Sequence, residues 1–267
     1  MKKYFFFFRN RFYAGLQYRA ASVTALVTHF IWGIMECAAF KILLESNDAA
    51  SPMALSSIIS YIWLKEAFFD LFNTWGADRD IFNLIVDGGI AYEMCRPVSV
   101  YNMWFAKNIG GRAALSAIGC VPVMAAAMLL PEPYRLIFPA GAGNFFLFLL
   151  TMFLGAGVTV SFCMLVYISA FFTISPQGMK MILTGAVEFL AGSVIPLPFI
   201  PNPYRRIMEL LPFASMQNVP LRIYSGDLCG YEMWTAILLQ IFWLVSMVLV
   251  GKAVCRRAER RVVVQGG

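Results

Sequence analysis

Four carboxylates stand inside long apolar runs of this chain, where a charge needs a physical reason: Glu36, Glu66, Asp70 and Glu188. An ionised side chain at the centre of a bilayer costs about 2.5–3.5 kcal/mol on insertion scales. Glu36 is therefore either part of a polar pathway or inter-subunit contact, or is neutral or paired with a neighbour such as Lys41. Glu66 and Asp70 are four residues apart, so a continuous helix puts them on one face beside Lys65. There the expectation is a structural ion-pair group near a membrane interface. Glu188 has Gly185, Gly192 and Ser193 nearby, small residues that let helices approach, and so could pair across a protein interface. If these groups do chemistry, it is that of a proton- or cation-coupled carrier, although such carriers usually carry internal repeats and none is clear between the two halves.

Other chemistries lack their residues. His29 is the only histidine, and it reads as a hydrogen-bonded packing residue. With one histidine there is no H-E-x-x-H metalloprotease pair and no second ligand for a di-metal centre, and no G-x-S-x-G turn presents a nucleophile. No G-x-x-x-x-G-K-[ST] phosphate loop occurs, so if ATP drives the protein another polypeptide hydrolyses it. The six cysteines (Cys37, Cys95, Cys120, Cys163, Cys229 and Cys255) fall mainly in apolar segments without C-x-x-C spacing. They read as small core residues, with no cofactor or metal expected on this chain.

The elements that would hold these groups follow from composition. The chain has 267 residues, 60% hydrophobic and 13% charged, against about 45–50% apolar and about 25% charged in a soluble domain. An all-α polytopic membrane protein is expected, folded as a single transmembrane domain. The net charge of +6 suits an anionic membrane surface, not nucleic acid, because the basic residues cluster at both termini and in one inner loop. The opening MKKYFFFF resembles a signal peptide, but Arg9 and Arg11 interrupt the apolar run, so it is expected to remain. Residues 1–22 suit an interfacial amphipathic helix with Phe5, Phe8, Phe12 and Leu16 on one face, Arg19 spoiling the stripe.

Six spans of roughly 20 apolar residues can be placed near 23–44, 53–74, 112–131, 144–173, 180–200 and 232–252, each able to cross about 30 Å of hydrocarbon. Proline, glycine and asparagine clusters separate them. With the N-terminus inside, fifteen of the 21 basic residues fall on the inner side and four on the outer. The positive-inside rule then places both termini, including the basic tail 253–267, in the cytoplasm, and the expected location is the plasma membrane, a bacterial inner membrane. In the fourth span Gly155/Thr159 and Gly157/Ser161 are spaced for close helix contact.

Two connections exceed simple turns. In the cytoplasmic stretch 75–111, Asp78 can cap a short helix through Ile81, Leu84 and Ile85, and Gly88-Gly89 breaks it. A second piece, Ile90 to Cys95, must stop before Arg96-Pro97. The external stretch 197–231 is too rich in proline to span and too apolar to float free, so re-entrant or interfacial short helices are expected between spans five and six.

Two stretches carry a family likeness: IVDGGIAYEMCRPVSVYNMWF at 85–105, and GSVIPLPFIPNPYRRIMELLPF at 192–213 followed by Pro220 and IYSGDL at 223–228. In their order and topological sides they resemble the six-helix permeases of type-2 ATP-binding-cassette exporters. The likeness implies a permease half working as a dimer with a same or different second permease subunit, on a cytoplasmic ATPase dimer that holds the ATP. It also implies a coupling helix between spans two and three, formed here by Asp87, Gly88, Gly89, Ile90, Ala91, Tyr92, Glu93, Arg96 and Pro97. The intramembrane carboxylates are not part of that likeness, and neither the residues nor the family names a substrate.

Overall fold

The computed structural model describes residues 2–17, 19–46, 51–75, 79–86, 88–139, 141–173 and 175–260. Asp78 and Asp87 lie outside the described residues. No strand occurs among those described. The helices are α1 (Lys2–Leu16), α2 (Arg19–Glu45), α3 (Leu55–Ala67), α4 (Phe69–Phe72), α5 (Arg79–Val86), α6 (Ile90–Met94), α7 (Val100–Leu129), α8 (Ala142–Ser169), α9 (Pro176–Leu190), α10 (Tyr204–Leu210), α11 (Asn218–Tyr224) and α12 (Gly230–Glu259).

Four described helices are long and apolar enough to cross a membrane: α2 from Thr24, α7, α8 and α12. The stretches 53–74 and 180–200 are built differently. The first is α3 followed by the single turn α4, broken at Phe68, whose φ of −107° and ψ of 19° leave the helical region. The second is α9 followed by a turn at Gly192, whose φ of +77° is open to glycine at little cost. A 3-10 turn at Leu197–Phe199 then carries the prolines that helix cannot continue through. Among the long helices, α7 begins twelve residues before the apolar stretch at 112–131, because Ser99 caps it by accepting a hydrogen bond from the Asn102 amide at 3.5 Å. Its 30 residues measure about 45 Å, longer than the roughly 30 Å of a hydrocarbon core.

α8 is the central helix: 72% of its most apolar window is buried, against 17% in α2 and α12. Its small residues explain this. A Cβ at Gly155 would lie 2.0 Å from the Met216 carbonyl oxygen and one at Gly157 2.9 Å from Leu244, so both glycines admit close neighbours. Thr159 and Ser161 donate to the Gly155 and Gly157 carbonyls at 3.0 and 2.7 Å, which satisfies their hydroxyls within the helix. One core joins α3, α8, α11 and the second half of α7 around Trp63, Tyr61 and Phe148. Another joins α5, α6 and the start of α7 to the ends of α8 and α12 around Trp104, Met164 and Tyr167.

α1 packs chiefly against α7. Of the Phe5/Phe8/Phe12/Leu16 stripe, Phe8, Phe12 and Leu16 are half-buried and Phe5 is 63% exposed. Close approach at Gly110 sets the docking: a Cβ there would lie 2.6 Å from the Phe8 carbonyl oxygen, while Gly15 meets Ala114. Between α9 and α12, α11 is buried throughout, whereas α10 has no buried residue.

Candidate functional site

Two groups of residues stand out, one inside the helical bundle and one at the N-terminal end of α7. In the first, Lys65 on α3 hydrogen-bonds the Glu36 carboxylate on α2, lies 3.5 Å from Glu66, and donates to the Ser193 carbonyl at 3.1 Å. Glu66 also meets His29 Nδ1 at 2.8 Å, and the His29 ring sits 4.6 Å from that of Phe69. One ammonium thus bridges two carboxylates while the histidine takes the free side of the second, which is how charges survive removal from water. The partner of Glu36 is Lys65 and not Lys41. Lys41 instead lies 3.7 Å from Glu45 and 5.6 Å from the centre of the Tyr134 ring.

The helix is interrupted at Phe68 between Glu66 and Asp70, and the two line different cavities. Glu66 lines a cavity of about 90 Å³ with Lys65, Asn73, Glu188, Ser193 and Gln217, room enough for several waters. Glu188 is therefore brought to Glu66 and Lys65, and Gln217 donates to Ser193 Oγ at 2.5 Å. Asp70 faces a separate cavity of about 130 Å³ with Arg11, Lys107, Asn108 and Arg112.

Arg112 is the functional-looking residue that the spacing of the sequence did not single out, since it reads as an inner-loop charge at the edge of a span. It is buried within α7 and donates to the carbonyls of Leu71 and Asn73 at 3.2 and 2.6 Å, and to Asn108 Oδ1 at 2.7 Å. Asn108 Nδ2 in turn donates to the Tyr167 hydroxyl at 2.8 Å. Arg112 thereby satisfies carbonyls freed where α4 ends and ties α4, α7 and α8 together. A cation four residues after an asparagine within an apolar helix was the available signal.

The second group is the hairpin of α5 and α6. Gly88, at φ +74°, turns the chain between them. Ile90 is buried against the α7 and α8 core, and Glu93 is buried with its carboxylate hydrogen-bonded by the Trp104 indole N–H and by Lys107 Nζ, the latter at 2.6 Å. Ala91 is half-buried, while Tyr92, Met94, Cys95, Arg96 and Pro97 are exposed and Gly89 caps α6. A helix of five residues cannot hold itself together. Glu93 and Ile90 hold it from below and leave Tyr92, 83% exposed, on the outer rim. The residues named from the sequence thus divide into an anchor (Ile90, Glu93), a turn (Gly88, Gly89) and a presented edge (Tyr92, Arg96, Pro97).

No curated protein sequence matches this chain. The family model described as ABC-2 family transporter protein matches residues 23–266, covering every long helix, both broken stretches and the hairpin, and the chain belongs to that family, the membrane permeases of type-2 ATP-binding-cassette transporters.

Proposed function

We propose that this chain is the permease subunit of an ATP-driven export system, working beside a second permease subunit and on a cytoplasmic ATPase dimer that binds the ATP. The observation that carries the reading is the α5–α6 hairpin. Closure of an ATPase pair must push on something stiff, and α6 is stiff because its one acidic side chain is buried and hydrogen-bonded on α7. Force on Tyr92 or Arg96 would pass through Ile90 and Glu93 directly to α7 and α8. In this reading Asp87 to Pro97 form the coupling element, six stretches cross a bacterial inner membrane with α3–α4 and α9 as the two broken spans, and both termini are cytoplasmic. The exposed apolar face of α2, with Val27, Ile31, Trp32 and Met35, suits lipid or the second permease.

Proton- or cation-coupled transport through Glu36, Glu66, Asp70 and Glu188 is the second reading, favoured by the small polar cavity that Glu66 and Glu188 share. The pairing of Glu36 and Glu66 with Lys65 and His29 supports a structural role and places the first reading ahead. The experiment is reconstitution with the cognate ATPase and the variants Tyr92→Glu and Arg96→Glu. The ATPase should co-purify with the unaltered chain, and the variants should stay in the membrane but lose ATP-dependent export. Unaltered ATP-dependent export in both variants, or export driven by a proton gradient without ATP, would overturn the assignment.

A further inference from the structure

A cavity of about 580 Å³ opens between α10, α11 and the first turns of α12, within the size range of small-molecule sites. Its apolar lining comes from Leu210, Val219, Leu228 and Leu239. The charges around it fall into two classes. Arg222 is buried and bonded to Asp227 at 2.5 Å and to Glu209 at 2.7 Å, and Arg205 meets the same Glu209 oxygen at 3.0 Å. That group compensates itself and offers a ligand little. Arg206 on α10 and Glu232 on α12 also line the cavity, are exposed, and have no hydrogen-bond or ion-pair partner among the described residues. The cavity wall also includes Ser215, 1% exposed, whose hydroxyl has no partner either. A buried polar atom left unpaired is rare enough in a folded protein to require an explanation, and a bound group supplies one.

The level of this cavity in the membrane is marked independently. Tyr204, Tyr231 and Trp234, on the first turns of α10 and α12, are all more than half exposed. Exposed Tyr and Trp rings gather at the headgroup level of a bilayer. A cavity at that depth with one free cation, one free anion and an apolar wall selects against a purely anionic lipid, which Glu232 repels, and against an uncharged hydrocarbon, which leaves Arg206 and Ser215 unsatisfied.

We propose that this cavity binds a phospholipid with a zwitterionic phosphoethanolamine headgroup. The phosphate is held by Arg206 and the Ser215 hydroxyl, as guanidinium and hydroxyl donors suit its oxygens. The primary ammonium donates to Glu232 and lies near the Tyr231 ring, a cation–π acceptor. The acyl chains leave along Leu210 and Leu239. The inference rests on the reading above only for the leaflet, which is the outer one if both termini are cytoplasmic. ATPase coupling has no part in it.

The test is native mass spectrometry of the purified full-length chain in detergent, titrated with dioleoyl phosphatidylethanolamine or dioleoyl phosphatidylglycerol. The ethanolamine lipid should be retained over the glycerol lipid, and Arg206→Ala and Glu232→Gln should each weaken its retention about tenfold, the scale of one lost charge-assisted hydrogen bond. Ser215→Ala, which removes a hydroxyl without a protein partner, should weaken it by less. Both charged side chains are exposed and unpaired, so these variants keep the fold, and an unchanged melting temperature checks that. Equal retention of the two lipids, or full retention in both charge variants, overturns the proposal. So does displacement of the lipid by soluble glycerophosphoethanolamine at equal concentration, which would make the ligand a free metabolite. Unaltered ATP-dependent export in Tyr92→Glu and Arg96→Glu with lipid selectivity intact would overturn the proposed function and leave this site standing.

Discussion

Removing the carboxylate of Glu93 should release the α6 helix from α7, and the size of the effect can be worked from its partners. Glu93→Ala leaves the Trp104 indole N–H, in a residue 1% exposed, without an acceptor, which costs about 1–3 kcal/mol. It also leaves Lys107 without its partner. The Lys107 side chain is 24% exposed and can recover water, so that loss is about 1 kcal/mol or less. Together these weaken docking by about 3 kcal/mol, which raises the undocked population about 150-fold at 1.36 kcal/mol per factor of ten. Amide exchange of the segment 88–95, measured by mass spectrometry on the purified chain, reads this directly. Exchange there should accelerate by about that factor while α8 stays protected. Glu93→Gln retains an acceptor for Trp104 and should fall between the two. Combining Glu93→Leu with Trp104→Phe removes both buried partners, so its effect should be smaller than that of Glu93→Ala. Wild-type exchange at 88–95 in Glu93→Ala would refute the anchoring argument, and with it the claim that α6 is stiff enough to transmit force.

Two further outcomes test the architecture. Cys95 and Cys229 are exposed while Cys37, Cys163 and Cys255 are buried, so a membrane-impermeant maleimide should label Cys229 in intact spheroplasts and reach Cys95 only in inside-out vesicles; labelling of Cys95 from outside would reverse the topology. Gly155→Ala should lower the melting temperature, because its Cβ meets the Met216 carbonyl oxygen at 2.0 Å and overpacking costs about 1–3 kcal/mol. Gly143→Ala, in the first turn of the same helix, meets nothing within 4 Å and should leave the melting temperature unchanged or slightly raised, and a larger loss there than in Gly155→Ala would contradict the packing of α8.

The membrane character of this chain, its long helices and the α5–α6 hairpin were legible in the sequence for local reasons. Twenty apolar residues in a row satisfy only their own backbone in lipid, and Gly88-Gly89 and Arg96-Pro97 stop a helix whatever surrounds it. The family likeness at 85–105 and 192–213 rests on the same kind of local signal, and the match over 23–266 bears it out.

Partnership was decided by the tertiary structure, because a side chain's distance along the chain says little about what lies across a helix interface. Glu36 had Lys41 nearby in sequence but found Lys65, and the break at Phe68 turned Glu66 and Asp70 toward different cavities. The family likeness put Glu93 in the coupling helix without a role of its own, and the approach of Trp104 and Lys107 makes it a buried anchor. Arg112 reads as a loop charge until the end of α4 arrives with carbonyls that need a donor. Apolar length and helix breakers act through the backbone of their own segment, so the sequence alone determined the four long helices and the α5–α6 hairpin, while the breaks within 53–74 and 180–200 appeared only in the structure. Buried charges are tolerated only where several segments meet, so the choice of which charge is anchor, bridge or open site belonged to the fold.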